Sequence, residues 1–139
     1  GALVYQLVEY EDRMPELLTA ADVALCRAGA STVAELAIAG LPSILVPLPI
    51  APRDAQRANA GELVGSGAAV LIADADLDLD HLLAALEPIV DDADRRDQMA
   101  AAARSVARPD AAHRVAQLLI EAADDRSPAI DRPAESEPT

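Results

Sequence analysis

The chain contains no phenylalanine and no tryptophan, and only two tyrosines, two histidines and one cysteine. Each scarcity closes something off. Without large aromatics, a packed interior has to be assembled from Ala, Val, Leu and Ile. Cys26 cannot form an internal disulfide, and with only His81 and His113 beside it the chain cannot complete a zinc site. Flanked by Leu25 and Arg27, this thiol is expected to be buried in a strand. No uninterrupted apolar run approaches the roughly 20 residues of a bilayer span. Residues 1–12 lack the basic flank and apolar stretch of a signal peptide, which predicts a cytoplasmic chain with no membrane anchor of its own.

Positive charge is also scarce. Eleven basic residues, all arginine, face 24 acidic ones, for a formal charge of −13. Such a surface repels nucleic-acid backbones and anionic lipid headgroups, so neither is an expected partner. A small phosphorylated ligand held at one local site remains compatible with it.

What is present is apolar and periodic. At 139 residues and 52% hydrophobic, the chain suits one domain with a real core and has no room for a second of ordinary size. Leu3 to Val8, Val23 to Cys26, Ser43 to Val46 and Ala68 to Ile72 are strand-length runs of nearly continuous hydrophobicity, the pattern of strands covered on both faces. Pro15 to Ala21, Thr32 to Ala39 and Asp54 to Ser66 read as helices between them. Gly40, Pro42, Gly65 and Gly67 punctuate the helix-to-strand turns.

This alternation predicts an α/β fold, a Rossmann-like parallel sheet flanked by helices. After Ile72 three successive helices follow, Leu79 to Val90, Arg95 to Ala107 and Ala111 to Ala123, with Asp80 and Asp110 as N-caps or first-turn acids. Residues 124–139, with three prolines and few apolar side chains, are expected to form a disordered acidic tail. Residues 1–123 then make one domain, in which no strand precedes Leu3 to supply the Gly-rich turn that usually opens a nucleotide-binding sheet.

Two stretches could carry chemistry. In the first, a strand ends at Cys26, a turn of small residues follows at Arg27-Ala28-Gly29-Ala30-Ser31, and a helix begins near Thr32. Backbone N–H groups at a helix N-terminus on the carboxyl edge of a parallel sheet favour phosphate. Glu35, one turn on, has a carboxylate suited to accept hydrogen bonds from two neighbouring ribose hydroxyls. The same T-V-A-E spacing is also a capping box, with Thr32 as cap and Glu35 satisfying a backbone N–H, and spacing alone favours that reading.

The second stretch, V-P-L-P-I-A-P-R-D-A-Q-R-A-N-A, presents a proline-stiffened loop and the first turn of the next helix toward the same edge. Gln56 and Asn59, spaced i, i+3, share a helix face. They suit sugar hydroxyls, but spacing alone favours ordinary exposed polar residues on a surface helix. Asp74, Asp76, Asp78 and Asp80 alternate as calcium ligands do, but Leu79 and Ala85 occupy the positions where an EF-hand needs Gly and Glu. They read as solvated loop and helix-start acids, and no metal site is expected.

Taken together, C-R-A-G-A-S-T-V-A-E, A-G-L-P, the V-P strand end and Q-R-A-N-A resemble, in order and spacing, the C-terminal domain of the MurG family of N-acetylglucosamine (GlcNAc) transferases. The P-L-P-I form and the Lys-free, Arg- and Ala-rich composition are similar to actinobacterial members. The resemblance implies one of the two Rossmann-like domains of a GT-B enzyme that moves GlcNAc from UDP-GlcNAc to lipid I, making lipid II for peptidoglycan.

It further implies that Ala30, Ser31 and Thr32, continuing into Val33 and Ala34, hold the donor diphosphate, and that Glu35 takes the ribose. Gln56, with Asn59 beside it, is implied to read the GlcNAc hydroxyls, and Glu11 to pair with uracil through backbone atoms alone. No cofactor or metal is implied. The acceptor, the catalytic base and the contact with the cytoplasmic face of the membrane fall to an N-terminal domain outside this chain. Ile50 to Arg53 depart from the family's His-containing loop. Another GT-B enzyme, such as a nucleotide-sugar epimerase or a glycolipid or antibiotic glycosyltransferase, and a non-catalytic nucleotide-sugar binding module stand as alternatives.

Overall fold

The computed structural model describes residue 2 and residues 4–124. Three short strands, β1 (Ala24–Cys26), β2 (Ser43–Leu45) and β3 (Ala69–Leu71), form one parallel sheet in the order β1-β2-β3. Ala24, Ser43 and Ala69 lie in register, as do Leu25, Ile44 and Val70, and Cys26, Leu45 and Leu71. Parallel neighbours need a crossover, and α2 (Ala30–Ala39) and α3 (Ala55–Ser66) supply the two. α1 (Met14–Ala20) precedes β1, and α4 (Leu79–Val90) and α5 (Ala93–Val106) follow β3. The expected Rossmann-like sheet flanked by helices is the observed architecture.

Alternation along each strand gives the sheet two cores. On one face Ala24, Cys26, Leu45, Ala69 and Leu71 pack with Leu36 and Ala37 of α2, Ala60 and Leu63 of α3 and Ala103 of α5. On the other, Ile44 and Val70 meet Ile89 and Leu86 of α4 and Met99 of α5. The two faces are not equally covered. Leu25, beside Ile44 on edge strand β1, is 51% exposed.

Both crossover helices end in the same way. Gly40 and Gly67 adopt left-handed backbone (φ 67° and 84°). Beyond α2, Gly40 N donates to Ala37 O and Leu41 N to Leu36 O; beyond α3, Gly67 N donates to Val64 O and Ala68 N to Leu63 O. These are Schellman motifs, which satisfy the last carbonyls and turn the chain directly into the next strand. At Gly40 the missing Cβ has a second use, because the Arg104 side chain of α5 occupies the space that it would fill.

The N-termini of α4 and α5 are capped by Asp78 and Asp92, whose carboxylates accept from His81 N (2.8 Å) and Arg95 N (3.0 Å). Asp80 is a first-turn acid. The His81 ring also meets the Asp78 carboxylate through Nδ1, at 2.8 Å. The hydrogen bond and charge of Asp78, followed by the charges of Asp76 and Asp80, raise the His81 pKa. The backbone and side-chain bonds from His81 lower that of Asp78.

A raised histidine pKa contributes stability that is complete below the unfolded value and is lost as pH rises through the folded one. A lowered aspartate contributes above its unfolded value and loses the contribution as pH falls through the folded one. This helix start is therefore held best between about pH 4 and pH 6.5. An NMR titration is expected to place the His81 imidazole above the ordinary histidine range and to move it back toward that range in Asp78→Ala, where the charges of Asp76 and Asp80 remain.

Three expectations change. Residues 4–8 form no strand, and Val4, Tyr5, Leu7 and Val8 are exposed. An apolar run becomes a strand only against a hydrogen-bonding neighbour, and no ladder of the sheet includes these residues. Helix α2 starts at Ala30 instead of near Thr32. Cys26 is half-buried rather than sealed, with its thiol pKa raised by that partial burial.

The chain divides into two compact units, residues 1–108 and 109–139. In the second, α6 (Ala111–Asp124) carries Val115, Leu118, Leu119 and Ile120, all exposed. The expected tail lies, apart from Asp124, outside the described residues. Among the described residues no helix is long and apolar enough to cross a membrane.

Candidate functional site

The carboxyl ends of the three strands open toward the starts of α2 and α3. After β1 the chain passes through Arg27 and Ala28 to Gly29, which is extended (φ −63°, ψ 147°), and enters α2, whose first helical bond runs from Val33 N to Gly29 O at 2.9 Å. The N–H groups of Ala30, Ser31 and Thr32 therefore have no intrahelical acceptor. No side chain caps them, and the first turn contains no acid. They sit at the positive end of the helix dipole, free to take an anion. Val33 differs from its neighbours, because its N–H is engaged in the helix and its side chain packs on the core. Ala34 is exposed on the next turn.

This start position decides the capping-box question. With Gly29 as N-cap, Thr32 is already the third helical residue and Glu35 the sixth, too far along to reach back to the cap. The Glu35 carboxylate makes no hydrogen bond or ion pair among the described residues. It is exposed and lines a cleft of about 350 Å³ between α1 and α2, with Pro15, Leu18, Thr19 and Ile38 among its walls.

Gln56 and Asn59 are each engaged with backbone through one end of the side-chain amide. Gln56 Oε1 accepts from Leu48 N (2.8 Å) and Ala28 N (3.2 Å), and Asn59 Nδ2 donates to Ala28 O at 3.2 Å. The two side chains join α3 to the turn before α2 and to the loop after β2, so they are not merely surface polar groups. Because both partners of Gln56 Oε1 are N–H donors, the amide orientation is determined. Gln56 Nε2 and Asn59 Oδ1 are the atoms left for a ligand. The loop that brings α3 here bends through Arg53 and Asp54, both left-handed at φ 55°, a conformation that non-glycine residues adopt at a cost of about 1–2 kcal/mol.

Glu11 stands apart, lining a smaller cleft with Arg13, Glu16, Leu17 and Ala20, and its Oε1 accepts from Arg13 N at 2.8 Å. Two residues at the sheet edge have partners that the sequence does not show. Arg27 Nη1 donates to Val46 O (3.2 Å), approaches Pro47 O (3.5 Å) and pairs with Asp74 Oδ1. Asp74 is thus an ion-pair partner and not simply a solvated loop acid. An arginine inside an otherwise small-residue turn was the available signal, but its partner lies 47 residues away. Among the described residues no group of three or more His, Cys, Asp or Glu side chains could hold a metal ion.

A profile of the glycosyltransferase family 28 C-terminal domain matches residues 1–115. The chain belongs to this family. Relatives of this family 28 domain include the "UDP-N-acetylglucosamine--N-acetylmuramyl-(pentapeptide) pyrophosphoryl-undecaprenol N-acetylglucosamine transferase" of Methylococcus capsulatus, 48% identical over 88% of this chain and 34% of the relative. Proteins of the same name from Salinibacter ruber and Mycolicibacterium smegmatis are 47% and 46% identical, each over 86% of this chain and about a third of their own lengths. The crystal structure of Acinetobacter baumannii MurG superposes with a TM-score of 0.76 at 35% identity, over 84% of this chain and 33% of that one. The family 28 domain described here therefore spans about a third of the length of the relatives it matches.

Proposed function

We propose that residues 1–123 are the donor-binding domain of an inverting glycosyltransferase that moves GlcNAc from UDP-GlcNAc to lipid I, yielding lipid II for peptidoglycan. The observation that carries this reading is the unengaged Glu35 carboxylate, one turn beyond three N–H groups that lack acceptors. In this arrangement the diphosphate sits on Ala30, Ser31 and Thr32, the ribose hydroxyls donate to Glu35, and the hexose meets Gln56 Nε2 and Asn59 Oδ1. Uracil pairs with the main chain at Glu11. The names of the relatives support the choice of donor and acceptor.

The chemistry follows from charge. The acceptor hydroxyl attacks the anomeric carbon as the bond from that carbon to the diphosphate oxygen breaks, and negative charge accumulates on departing UDP. Helix amides aimed at that charge stabilise it without first having to reorganise. The base that takes the acceptor proton, the lipid I site and the contact with the cytoplasmic face of the membrane belong to a domain outside this chain.

Calorimetry tests the donor assignment. UDP-GlcNAc is expected to bind, UDP to displace it, and UDP-glucose to bind more weakly because it lacks the acetamido group. A chain that binds none of the three refutes the reading.

A further inference from the structure

We propose that Asp74 is a positioning residue for the sugar end of the donor, acting through Arg27 on the amide of Gln56. This rests on the donor assignment above. The sheet's ladder runs out at Val46 N to Cys26 O (2.9 Å) and Ile72 N to Leu45 O (3.0 Å). Beyond that point the Val46 and Pro47 carbonyls point past the last strand bonds, and proline has no N–H with which to extend the ladder.

The Arg27 guanidinium serves both carbonyls, at 3.2 and 3.5 Å, and Asp74, in the 3₁₀ turn Asp74–Asp76 after β3, pairs with the same nitrogen. One side chain thereby ties together the carboxyl ends of all three strands. A lysine side chain is one bond shorter and lacks the fixed plane of the guanidinium that sets where this nitrogen lies.

What makes this tie relevant to the donor is where it leads. Gln56 Oε1 takes two hydrogen bonds, from Ala28 N and Leu48 N. Ala28 follows Arg27 in the chain, and Leu48 follows Pro47. Both donors that aim the Gln56 amide are thus one residue away from the points that Arg27 fixes. Asp74 determines where the guanidinium rests, the guanidinium determines where the two N–H groups lie, and they leave Gln56 Nε2 facing the ligand.

The ion pair is itself 49% and 34% exposed. Such pairs add little to folding, so its consequence is geometric. The diphosphate rests on helix amides that the tie does not touch.

The test compares UDP-GlcNAc with UDP on the whole chain and on Asp74→Asn, Arg27→Lys and the double variant, with thermal melts to confirm folding. Asp74→Asn is expected to raise the Kd for UDP-GlcNAc about tenfold while that for UDP changes by less than about twofold, since one aimed hydrogen bond to the sugar is at stake. Amide exchange at Leu48 is expected to accelerate in both single variants. The double variant should be no worse than the worse single one, because both act through one path. Glu62→Gln, which breaks the Arg108–Glu62 pair elsewhere on the surface, should change neither affinity.

Equal losses for the two ligands, additive losses in the double variant, or unchanged UDP-GlcNAc affinity in Asp74→Asn would overturn the proposal and leave the donor assignment intact. A wild-type chain that binds neither ligand overturns both.

Discussion

Replacing Glu35 by alanine is expected to weaken UDP binding by about 10- to 100-fold, since hydrogen bonds to a charged group contribute about 1.5–3 kcal/mol. The same substitution should leave the unfolding free energy within about 0.5 kcal/mol of wild type, as is usual for exposed positions away from caps and cores. The two halves of this expectation have separate origins. Glu35 is exposed and its carboxylate has no partner among the described residues, so folding does not depend on it. Two ribose hydroxyls would depend on it entirely. Glu35→Gln keeps a neutral acceptor and should fall between wild type and alanine. Calorimetry with UDP reads the first half and denaturant unfolding the second. Unchanged affinity, or a loss of stability typical of a broken N-cap, would return Glu35 to the capping role that its spacing first suggested.

Ile44→Ala should act in the opposite way, costing stability first. Ile44 is fully buried at the centre of the middle strand, in register with Leu25 and Val70 and packed with Val46, Ile72, Ile89 and Met99. Removing its side chain at such a site costs about 2–5 kcal/mol, against a typical total stability of about 5–15 kcal/mol. The neighbours of Ile44 are mainly branched aliphatic side chains of fixed shape, and only Met99 is flexible enough to lean into the gap. Urea unfolding should show a lower midpoint at an unchanged slope. Leu25→Ala, on the same face but half-exposed, should cost far less.

The parallel sheet was readable from the sequence because its strands are short, continuous apolar runs separated by helices with glycine ends. The same logic failed at residues 4–8, where hydrophobicity was present but a neighbouring ladder was not. At α2 the T-V-A-E spacing pointed to Thr32 as the cap, whereas the backbone geometry puts the cap at Gly29.

Glu35 could be picked out from its place one turn into a helix, though not its freedom from partners. Gln56 was found for its chemistry, but its bonds to Ala28 and Leu48 depend on how two loops meet. Arg27 and Asp74 belong to segments that only the folded sheet brings together. Local pattern could therefore nominate residues, whereas their partners are a property of the tertiary structure.

The Schellman end of α2 bears on how costly the proposed donor binding would be. Helix α2 offers its amides at Ala30–Thr32 from one end, while at the other Gly40 lets Arg104 of α5 close over the backbone, and Leu36 and Ala37 are sealed in the core between. To shift the turn at Ala30–Thr32, the whole rod would have to slide against α5. The proposed donor surface is thus preorganised, and the entropy lost on association would fall mainly on the nucleotide sugar and little on the protein.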